Sequence, residues 1–275
     1  MRKPTRQLRL PEVRWGSGEL RPPLKWAGGK RWLVPTLEPI WEKHRDRRLV
    51  EPFCGGLGVT LGLSPRRALL SDINPYLMSF YRWLQKGLVI DIPLENDEEL
   101  YYRHRSRFNR LLSTGRGESA EAASLFYYLN RTGYNGLCRF NKTGEFNVPF
   151  GQYKTINYVR DFSIYREAFA GWELVSLDIE ELSIDAADFL YADPPYDVEF
   201  THYSKGGFGW DDQVRTAEWL ARHRGPVALS NQATARIVAL YERLGFELRF
   251  LDAPRMISCT GDRSPAREVL ATRNL

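Results

Sequence analysis

The sequence predicts an α/β fold, an open sheet with helices on both faces, from two features of its pattern. Short apolar runs rich in β-branched and aromatic residues recur along the chain, and helix-like stretches such as 30–43, 75–85 and 213–223 lie between several of them. Buried strands that alternate with helices are typical of such a sheet. The predicted strands are 48–53, 68–71, 172–177, 189–192, 227–230, 246–251 and 268–272. The last two have no clear helix between them, which predicts an antiparallel hairpin at one edge.

The alternation breaks in the middle of the chain, which predicts an insertion. Two helix-like stretches, 98–112 and 121–130, are followed there by a segment rich in Gly and Asn, in which residues 141–144 (NKTG) predict a hairpin turn. We therefore expect a catalytic domain built from 22–85 and 167–275, interrupted by an insertion over 86–166. Residues 1–21 form a basic segment that predicts a flexible arm, either a tail without a role or a contact to a polyanionic partner.

Positive charge is concentrated on the predicted insertion. Residues 103–166 hold eleven Lys and Arg against four Asp and Glu, whereas the whole chain has a net charge of +5. A basic region on a near-neutral scaffold is typical of proteins that bind a polyanion, although a solvated helix face has the same composition.

Several classes of protein do not fit the sequence. The three cysteines form no C-x-x-C pair and the four histidines lie far apart, so neither a disulfide framework nor a metal site is expected. No apolar run reaches the ~18 residues that a membrane span requires, and the N-terminal segment lacks the apolar core of a signal peptide. We expect a protein of the reduced cytoplasm, monomeric and without a membrane partner.

The segment YADPPY, residues 191–196, carries the clearest chemical signal. It follows an apolar strand and so falls where α/β sheets bind ligands. The lone pair of an aromatic amine such as adenine N6 is delocalised, and acceptors for both N–H groups favour a nucleophilic nitrogen. The Asp193 carboxylate and the Pro194 carbonyl can be those acceptors, Pro195 stiffens the turn, and Tyr196 offers a flat face to a base turned out of the helix. The alternative is a helix N-cap before a proline turn.

Three further segments suit a nucleotide-like cofactor. Phe53 and Gly55 lie in a glycine turn after the first strand, where a plain strand–helix loop is the alternative. Asp72, after the second strand, can accept hydrogen bonds from ribose hydroxyls, or can lead a turn that caps the next helix. Trp26 and Lys30, beside Gly28-Gly29, suit an aromatic ring and a carboxylate, or a loop with a core-packed tryptophan.

In their joint order these segments resemble the Dam family of DNA adenine-N6 methyltransferases, the D12 class in its alpha arrangement. The resemblance runs from about Leu24 to the C-terminus. It is closest in LKWAGGK, VEPFCGG, SDIN, YADPPY and residues 128–154, and it extends to FTHY (200–203) and SNQAT (230–234). It implies a Rossmann-like S-adenosylmethionine-dependent methyltransferase sheet with an inserted helical and β-hairpin domain that recognises the DNA target.

The resemblance also implies roles for individual residues. Those of the S-adenosylmethionine pocket are Trp26, Lys30, Phe53, Gly55, Asp72 and Asp193. Those of catalysis are Asp193, Pro194, Pro195 and Tyr196. Those that contact double-stranded DNA are Lys25, Tyr134, Asn135, Leu137, Arg139, Asn141 and Pro149. Tyr134 would wedge into the base stack with Asn135 beside it, and Arg139 would contact O6 and N7 of a guanine. Leu137 and Pro149 would make apolar contacts to bases. The implied target is GATC.

Two positions depart from the family pattern. Leu57 stands where the F-x-G-x-G motif has its second glycine, which puts the shape of that loop in question. Gln152 stands where a basic residue often precedes the tyrosine of F-G-x-Y, so a phosphate contact is weakened there.

Other functions stay open at this stage. An RNA adenine-N6 or DNA cytosine-N4 methyltransferase is one alternative, although the hairpin suits duplex DNA better than the narrow major groove of RNA. A non-catalytic DNA-binding relative is another. Cytosine C5 chemistry is disfavoured because no Pro-Cys pair supplies a nucleophile. Whether the enzyme is solitary, phage-borne or part of a restriction–modification pair is not encoded in these motifs.

Overall fold

The computed structural model describes residues 20–196, 207–253 and 266–275, and within them seven strands form one sheet. The strands are β1 (Leu49–Glu51), β2 (Ala68–Ser71), β3 (Trp172–Val175), β4 (Phe189–Ala192), β5 (Val227–Gln232), β6 (Glu247–Ala253) and β7 (Ala266–Arg273). Their order is β3-β2-β1-β4-β5-β7-β6. β1 to β5 run parallel, whereas β7 is antiparallel to both β5 and β6. All seven predicted strands and the antiparallel edge hairpin are confirmed, in an arrangement consistent with a methyltransferase fold.

Helices cover both faces of this sheet. They are α1 (Val34–Trp41), α2 (Gly58–Leu63), α3 (Pro75–Gln85), α4 (Glu98–Ser113), α5 (Ala120–Thr132), α6 (Ser163–Ala168), α7 (Trp210–Arg222) and α8 (Ala235–Arg243). Alternate residues of β1 point to opposite sides, since Leu49 belongs to the hydrophobic cluster under α1 to α5 and Val50 to the cluster under α7 and α8. Two buried layers of this kind require an apolar strand, which explains why β2 (ALLS) and β4 (FLYA) are almost wholly apolar.

Local signals set the helix ends. Asp97 and Ser119 accept hydrogen bonds from the first turns of α4 and α5, and both helices match their predicted spans to within two or three residues. The predicted helix 30–43 is instead a short α-helix between two 3-10 turns, with Pro35 in its first turn and Pro39 inside it. The sequence analysis named no helix before β6, where Thr234 caps α8.

The predicted insertion, residues 86–166, packs directly on the scaffold that holds the sheet. Its aromatic residues Phe126 and Tyr127, on α5, lie with ring centres 6.1 Å from that of Phe80 on α3. These side chains belong to one continuous hydrophobic cluster that reaches the sheet. The insertion and the scaffold therefore share a core, and the division into two domains remains a proposal.

The segment after α5 is a turn held by side chains. Phe140 bridges Phe146 and Gly133 bridges Phe150, but within the described residues no regular strand forms here. The Asn141 carboxamide oxygen accepts hydrogen bonds from the backbone of Thr143 and Glu145, which closes the predicted turn. We call residues 134–153 the hairpin.

The described part of the chain lacks both membrane-spanning helices and metal-binding clusters. No helix there is long and apolar enough to cross a bilayer. No group of three or more His, Cys, Asp or Glu side chains there could hold a metal ion.

Candidate active site

The segments predicted to carry the chemistry meet at the carboxyl ends of the parallel strands. β1, β2 and β4 are parallel neighbours, so the glycine turn after β1, Asp72 after β2 and Asp193 after β4 leave the sheet at the same end. The segment with Trp26 and Lys30 folds over that end. The structure thus brings together residues that lie up to 242 positions apart, Trp26 and Glu268 being the outermost.

Asp193 is anchored through one oxygen only. Its Oδ1 accepts a hydrogen bond from Ser230 Oγ at 2.9 Å and lies 3.1 Å from Lys30 Nζ. Within the described residues its Oδ2 makes no hydrogen bond, and the side chain stays 19% exposed. Burial raises the pKa of this carboxyl group, and the Lys30 ammonium opposes the rise. These contacts do not cap a helix, which overturns the alternative interpretation of the DPPY segment within the part described.

The proline turn is fixed from behind. Gln213 Nε2 donates to the Pro195 carbonyl at 2.6 Å, and Asn231 in turn donates to Gln213 Oε1 at 2.9 Å. Gln213 and Asn231 are both at most 1% exposed. The Pro194 carbonyl, by contrast, accepts no hydrogen bond from any described residue. The turn is therefore rigid while one of its carbonyl groups stays available.

Lys30 lies at the centre of the polar site. Its side chain is 4% exposed, and its ammonium donates to the Tyr196 hydroxyl and to the Gly28 carbonyl, the latter at 3.3 Å. Glu268 Oε1, on β7, lies 3.8 Å from the same nitrogen and accepts a hydrogen bond from Tyr196. One buried cation thus faces two carboxylates, Asp193 and Glu268.

The Trp26 side chain packs directly against the glycine turn. A Cβ atom on Gly55 would lie 2.7 Å from the indole Nε1 of Trp26, and one on Gly56 would lie 2.6 Å from the Trp26 Cβ. Gly55 also has a φ of +42°, which favours glycine. Phe53, at the start of the turn, packs edge-on against Phe208 with ring centres 5.8 Å apart. The close approach of the indole therefore requires glycine at both positions, and Trp26 is partly buried against the core, as in the predicted alternative of a loop with a core-packed tryptophan.

Asp72 leads a turn at the end of β2. Its Oδ1 accepts a hydrogen bond from the Asn74 backbone at 2.9 Å, so it does lead a turn, but Asn74 and not Asp72 caps α3. Burial raises the pKa of Asp72 to about 6, against hydrogen bonds from the backbone of Asn74 and Gly55. The aspartate is thus fixed beside the glycine turn.

Leu57 adopts the left-handed backbone conformation that favours glycine. Its φ is +61° and its side chain is fully buried. We expect Leu57→Gly to lower the free energy of unfolding by up to about 4 kcal/mol. Relief of about 1–2 kcal/mol of left-handed strain does not offset the loss of about 2–5 kcal/mol that is typical of truncating a buried leucine.

Urea denaturation of the variant and the parent protein measures this difference. Leu61→Ala is the control. Leu61 lies in α2, the helix that begins directly after Leu57, and its side chain is 7% exposed. It truncates a buried leucine without a change of backbone conformation, so it should cost at least as much stability as Leu57→Gly. A gain in stability for Leu57→Gly would mean that strain outweighs packing at this position.

The predicted DNA-contacting residues lie on or beside the hairpin. Tyr134 is 49% exposed, Asn135 is exposed with a φ of +52°, and Pro149 is exposed, its carbonyl accepting a hydrogen bond from the Tyr134 backbone. Leu137 is partly buried against the core. The Asn141 side chain closes the turn as described above.

Arg139 is held along one edge of its guanidinium group. Its Nε donates to Asn147 Oδ1 at 2.8 Å and one Nη donates to the Asn147 carbonyl at 3.2 Å. The end-on pair of N–H groups is not used in these contacts. This leaves a planar fork of the kind that matches two acceptors on a base.

The base of the hairpin is tied to the segment that contains Lys25 and Trp26. Asn130, at the end of α5, accepts a hydrogen bond from the Lys25 backbone and donates to the carbonyls of Lys25 and Gly136. The Lys25 ammonium donates to the Arg131 carbonyl at 2.8 Å and lies 3.4 Å from the centre of the Tyr153 ring. Burial, with Arg131 nearby, lowers the pKa of Lys25 to about 7.

Sequence analysis did not single out several residues that the structure places in the site. They are Glu51, Gln213, Ser230, Asn231 and Glu268. Ser230 and Asn231 lie in the SNQAT segment, whose position after a buried strand was the available signal. Glu51 ends β1, and burial raises its pKa to about 8 although Thr60 donates to it. Two predicted elements, FTHY and residues 1–19 of the basic arm, lie outside the described residues.

Comparison with known proteins assigns the chain to a family. The model of the D12 class of N6 adenine-specific DNA methyltransferases matches residues 26–255. Retron Ec67 DNA adenine methylase of Escherichia coli is 35% identical over 266 residues, which cover 90% of each chain. DNA adenine methylase of Escherichia coli K12 is 36% identical over 271 residues, covering 90% of this chain and 93% of that protein.

A more distant organism has a relative of similar extent. Type II methyltransferase M.MjaIII of Methanocaldococcus jannaschii is 32% identical over 279 residues, which cover 89% of this chain and 95% of that one. Matches of this length span the glycine turn, the hairpin and the DPPY segment together. The chain therefore belongs to the D12 class of N6 adenine-specific DNA methyltransferases.

Proposed function

We propose that this enzyme transfers a methyl group from S-adenosylmethionine to N6 of an adenine in GATC within duplex DNA, after the adenine has turned out of the helix. The observation that carries the proposal is how the two carboxylate oxygens of Asp193 are bonded. Lys30 and Ser230 anchor one carboxylate oxygen, whereas the other makes no hydrogen bond among the described residues. An anchored acceptor with a free lone pair suits an incoming amine.

The residues around the glycine turn fit the cofactor. S-adenosylmethionine supplies an electrophilic methyl group on a sulfonium when it is bound. Gly55 lets the backbone approach closely beneath Trp26, and Asp72 lies at the end of β2, where a carboxylate can accept two ribose hydroxyls. Lys30 adds a buried ammonium beside these residues, paired with Asp193, and Phe53 supplies an apolar wall. D12 enzymes generally use this cofactor, which agrees with the donor set.

The DPPY turn would prepare the adenine amine for attack. Asp193 Oδ2 and the Pro194 carbonyl each accept one N–H, which draws electron density towards the nitrogen and favours a tetrahedral geometry. Pro195, held by Gln213, keeps that carbonyl in place. Tyr196 supplies a ring against which the extruded base stacks. The proton lost from nitrogen passes to Asp193 or to solvent.

The hairpin would carry recognition of the duplex. Tyr134 and Asn135 are exposed beside Lys25, which adjoins the cofactor motif, so a wedge inserted by Tyr134 would stand next to the site of chemistry. Leu137 and Pro149 would contact bases, Lys25 would reach a base or a phosphate, and Asn141 would hold the backbone. The insertion 86–166 would thus be the recognition unit on a catalytic domain of 22–85 and 167–275. We further propose a monomer acting on DNA in the cytoplasm.

The direct test is methylation of duplex oligonucleotides with labelled cofactor. We expect label on adenine N6 in GATC and a fall with each single-base change of that site. Three control substrates are compared with this duplex. They are the same sequence as RNA, a duplex that differs from the first only at cytosine, and a duplex without GATC. Label on RNA or on cytosine N4 would replace the proposal with the corresponding alternative, and no label on any duplex would overturn it.

We expect Arg139→Ala to lose about 1–3 kcal/mol of discrimination at one guanine, because the bidentate contact to O6 and N7 disappears. Asn147→Ala should lose a smaller part of the same discrimination, since Arg139 remains but its guanidinium edge is no longer held. Relative kcat/KM values for duplexes with single substitutions at each position measure the effect.

Lys142→Ala serves as the control for loss of charge, because Lys142 is exposed at the tip of the same hairpin. We expect it to weaken binding to every duplex alike and to reduce the salt dependence. Equal selectivity of Arg139→Ala and the parent enzyme at all four positions would remove Arg139 from base recognition.

A further inference from the structure

Glu268 is a buried carboxylate that no sequence motif singled out. It lies on β7 opposite Gln232 of β5, and its side chain is 6% exposed. One oxygen, Oε1, accepts the Tyr196 hydroxyl and lies 3.8 Å from Lys30 Nζ. The other, Oε2, is buried without a hydrogen-bond partner among the described residues.

Such a group is costly to keep for packing alone. A buried carboxylate with an unpaired oxygen loses hydration that its neighbours do not replace, and an apolar side chain of similar size would avoid that loss. Burial also raises the pKa of Glu268, and the nearby Asp193 raises it further, while Lys30 opposes both. The position of Glu268 beside the DPPY segment points to a role in the site.

Glu268 acts on Tyr196 and Lys30 at once. The Tyr196 hydroxyl donates to Glu268 and accepts from Lys30, so its orientation is fixed from two sides. Without Glu268, the Lys30 ammonium would face Asp193 as its only carboxylate among the described residues. A full ion pair with Lys30 would make Asp193 a weaker acceptor for an amine, whereas a shared ammonium leaves more of its charge available.

We infer that Glu268 is a positioning residue for methyl transfer, which holds Tyr196 in place and shares the Lys30 ammonium so that Asp193 stays a strong acceptor. The inference rests on the proposed function, in which Asp193 accepts the target amine. It places part of the active site on the antiparallel edge of the sheet, 72 residues after the DPPY tyrosine.

The test is a double-mutant cycle of Glu268→Ala and Tyr196→Phe, measured as the single-turnover rate of methyl transfer at saturating cofactor and DNA. We expect Glu268→Ala to slow the rate by about tenfold to a hundredfold, the range for loss of a hydrogen bond to a charged group. In the Tyr196→Phe background, Glu268→Ala should slow the rate by a factor several times smaller, because the hydrogen bond between Tyr196 and Glu268 is already gone.

Glu268→Gln keeps an acceptor oxygen and should recover part of the rate. Glu247→Gln, on the exposed face of neighbouring β6, is the control and should leave the rate unchanged. Cofactor affinity by isothermal titration should change by less than about threefold for Glu268→Gln, since the effect is on the chemical step. Thermal unfolding and far-UV circular dichroism establish that each variant is folded, and Glu268→Gln carries the test if Glu268→Ala is not.

Equal losses from Glu268→Ala in both backgrounds, or equal rates for Glu268→Gln and Glu268→Ala, would overturn the inference and leave Glu268 a residue of the core. Asp193→Asn separates this result from the proposed function. If Asp193→Asn is inactive while Glu268→Ala turns over at the parent rate, only the role of Glu268 fails. If Asp193→Asn retains the parent rate, the role of Asp193 on which the inference rests fails, whereas absence of label on any duplex with the parent enzyme would mean that the proposed function itself fails.

Discussion

Asp193→Asn should reduce the rate of methyl transfer by about a thousandfold while DNA binding survives. The carboxamide keeps the shape of the side chain, but it replaces a charged acceptor with a weaker one and can turn an N–H towards the incoming amine. Loss of a single preorganised group that stabilises charge in the transition state costs about a hundredfold to a thousandfold, and here the ion pair with Lys30 is lost as well.

The measurement combines a methylation rate with a binding assay on the same duplex. Asp91→Asn, at an exposed position outside the site, controls for removal of one negative charge. Asp193 lies beside the cofactor residues as well as the amine, so the rate is compared at saturating cofactor. Turnover within tenfold of the parent enzyme would contradict the assigned role of Asp193.

Lys30→Met should lower the free energy of unfolding by about 3–5 kcal/mol near neutral pH, the range for breaking a buried ion pair by removing one partner. Methionine fills a similar volume, so the loss reflects charge more than packing. Asp193 and Glu268 would then face each other without a cation, and the pKa of each would rise further because Lys30 now lowers both.

The pH dependence follows from that rise. A carboxyl group with a raised pKa in the folded state contributes stability below its unfolded pKa of about 4, and the contribution is lost as the pH rises through the folded pKa. The loss of unfolding free energy in Lys30→Met, relative to the parent protein, should therefore be smallest near pH 4 and should grow towards pH 8. Chemical denaturation at several pH values measures it.

Two further variants make the result specific. Lys43→Met, at an exposed position, should show no such trend. Lys30→Met combined with Glu268→Gln should recover stability at high pH, because one of the two facing charges is gone. Parallel stability profiles for Lys30→Met and the parent protein would mean that the cation does not hold the carboxylates together.

The fold was largely predictable because its information is local. Buried strands such as 189–192 are short, apolar and bounded by turns, and helices α3 and α4 begin at Asn74 and Asp97, whose side chains cap them. The predicted helix over 30–43 was only partly right, since the two prolines inside it favour tight turns over a single α-helix.

The polar partners in the site were less predictable for a physical reason. Asp193 and Asp72 follow strands directly, so their positions could be inferred from the order of the elements. Ser230, Gln213 and Glu268 reach the same place from β5, α7 and β7, and only the tertiary packing decides which of their neighbours they meet. A buried glutamate on an edge-side strand resembles, in sequence alone, an ordinary solvent-facing residue.

The shared core beneath the hairpin sets where this enzyme can be re-engineered. Since Phe126 and Tyr127 interlock with Phe80 of the scaffold, exchange of the whole of 86–166 for the corresponding part of another methyltransferase would cut through tightly packed rings. A graft confined to the portion beyond the Gly133–Phe150 bridge would spare them. Altered target choice is therefore best sought by swapping that outer portion, with Asn130 retained as the joint.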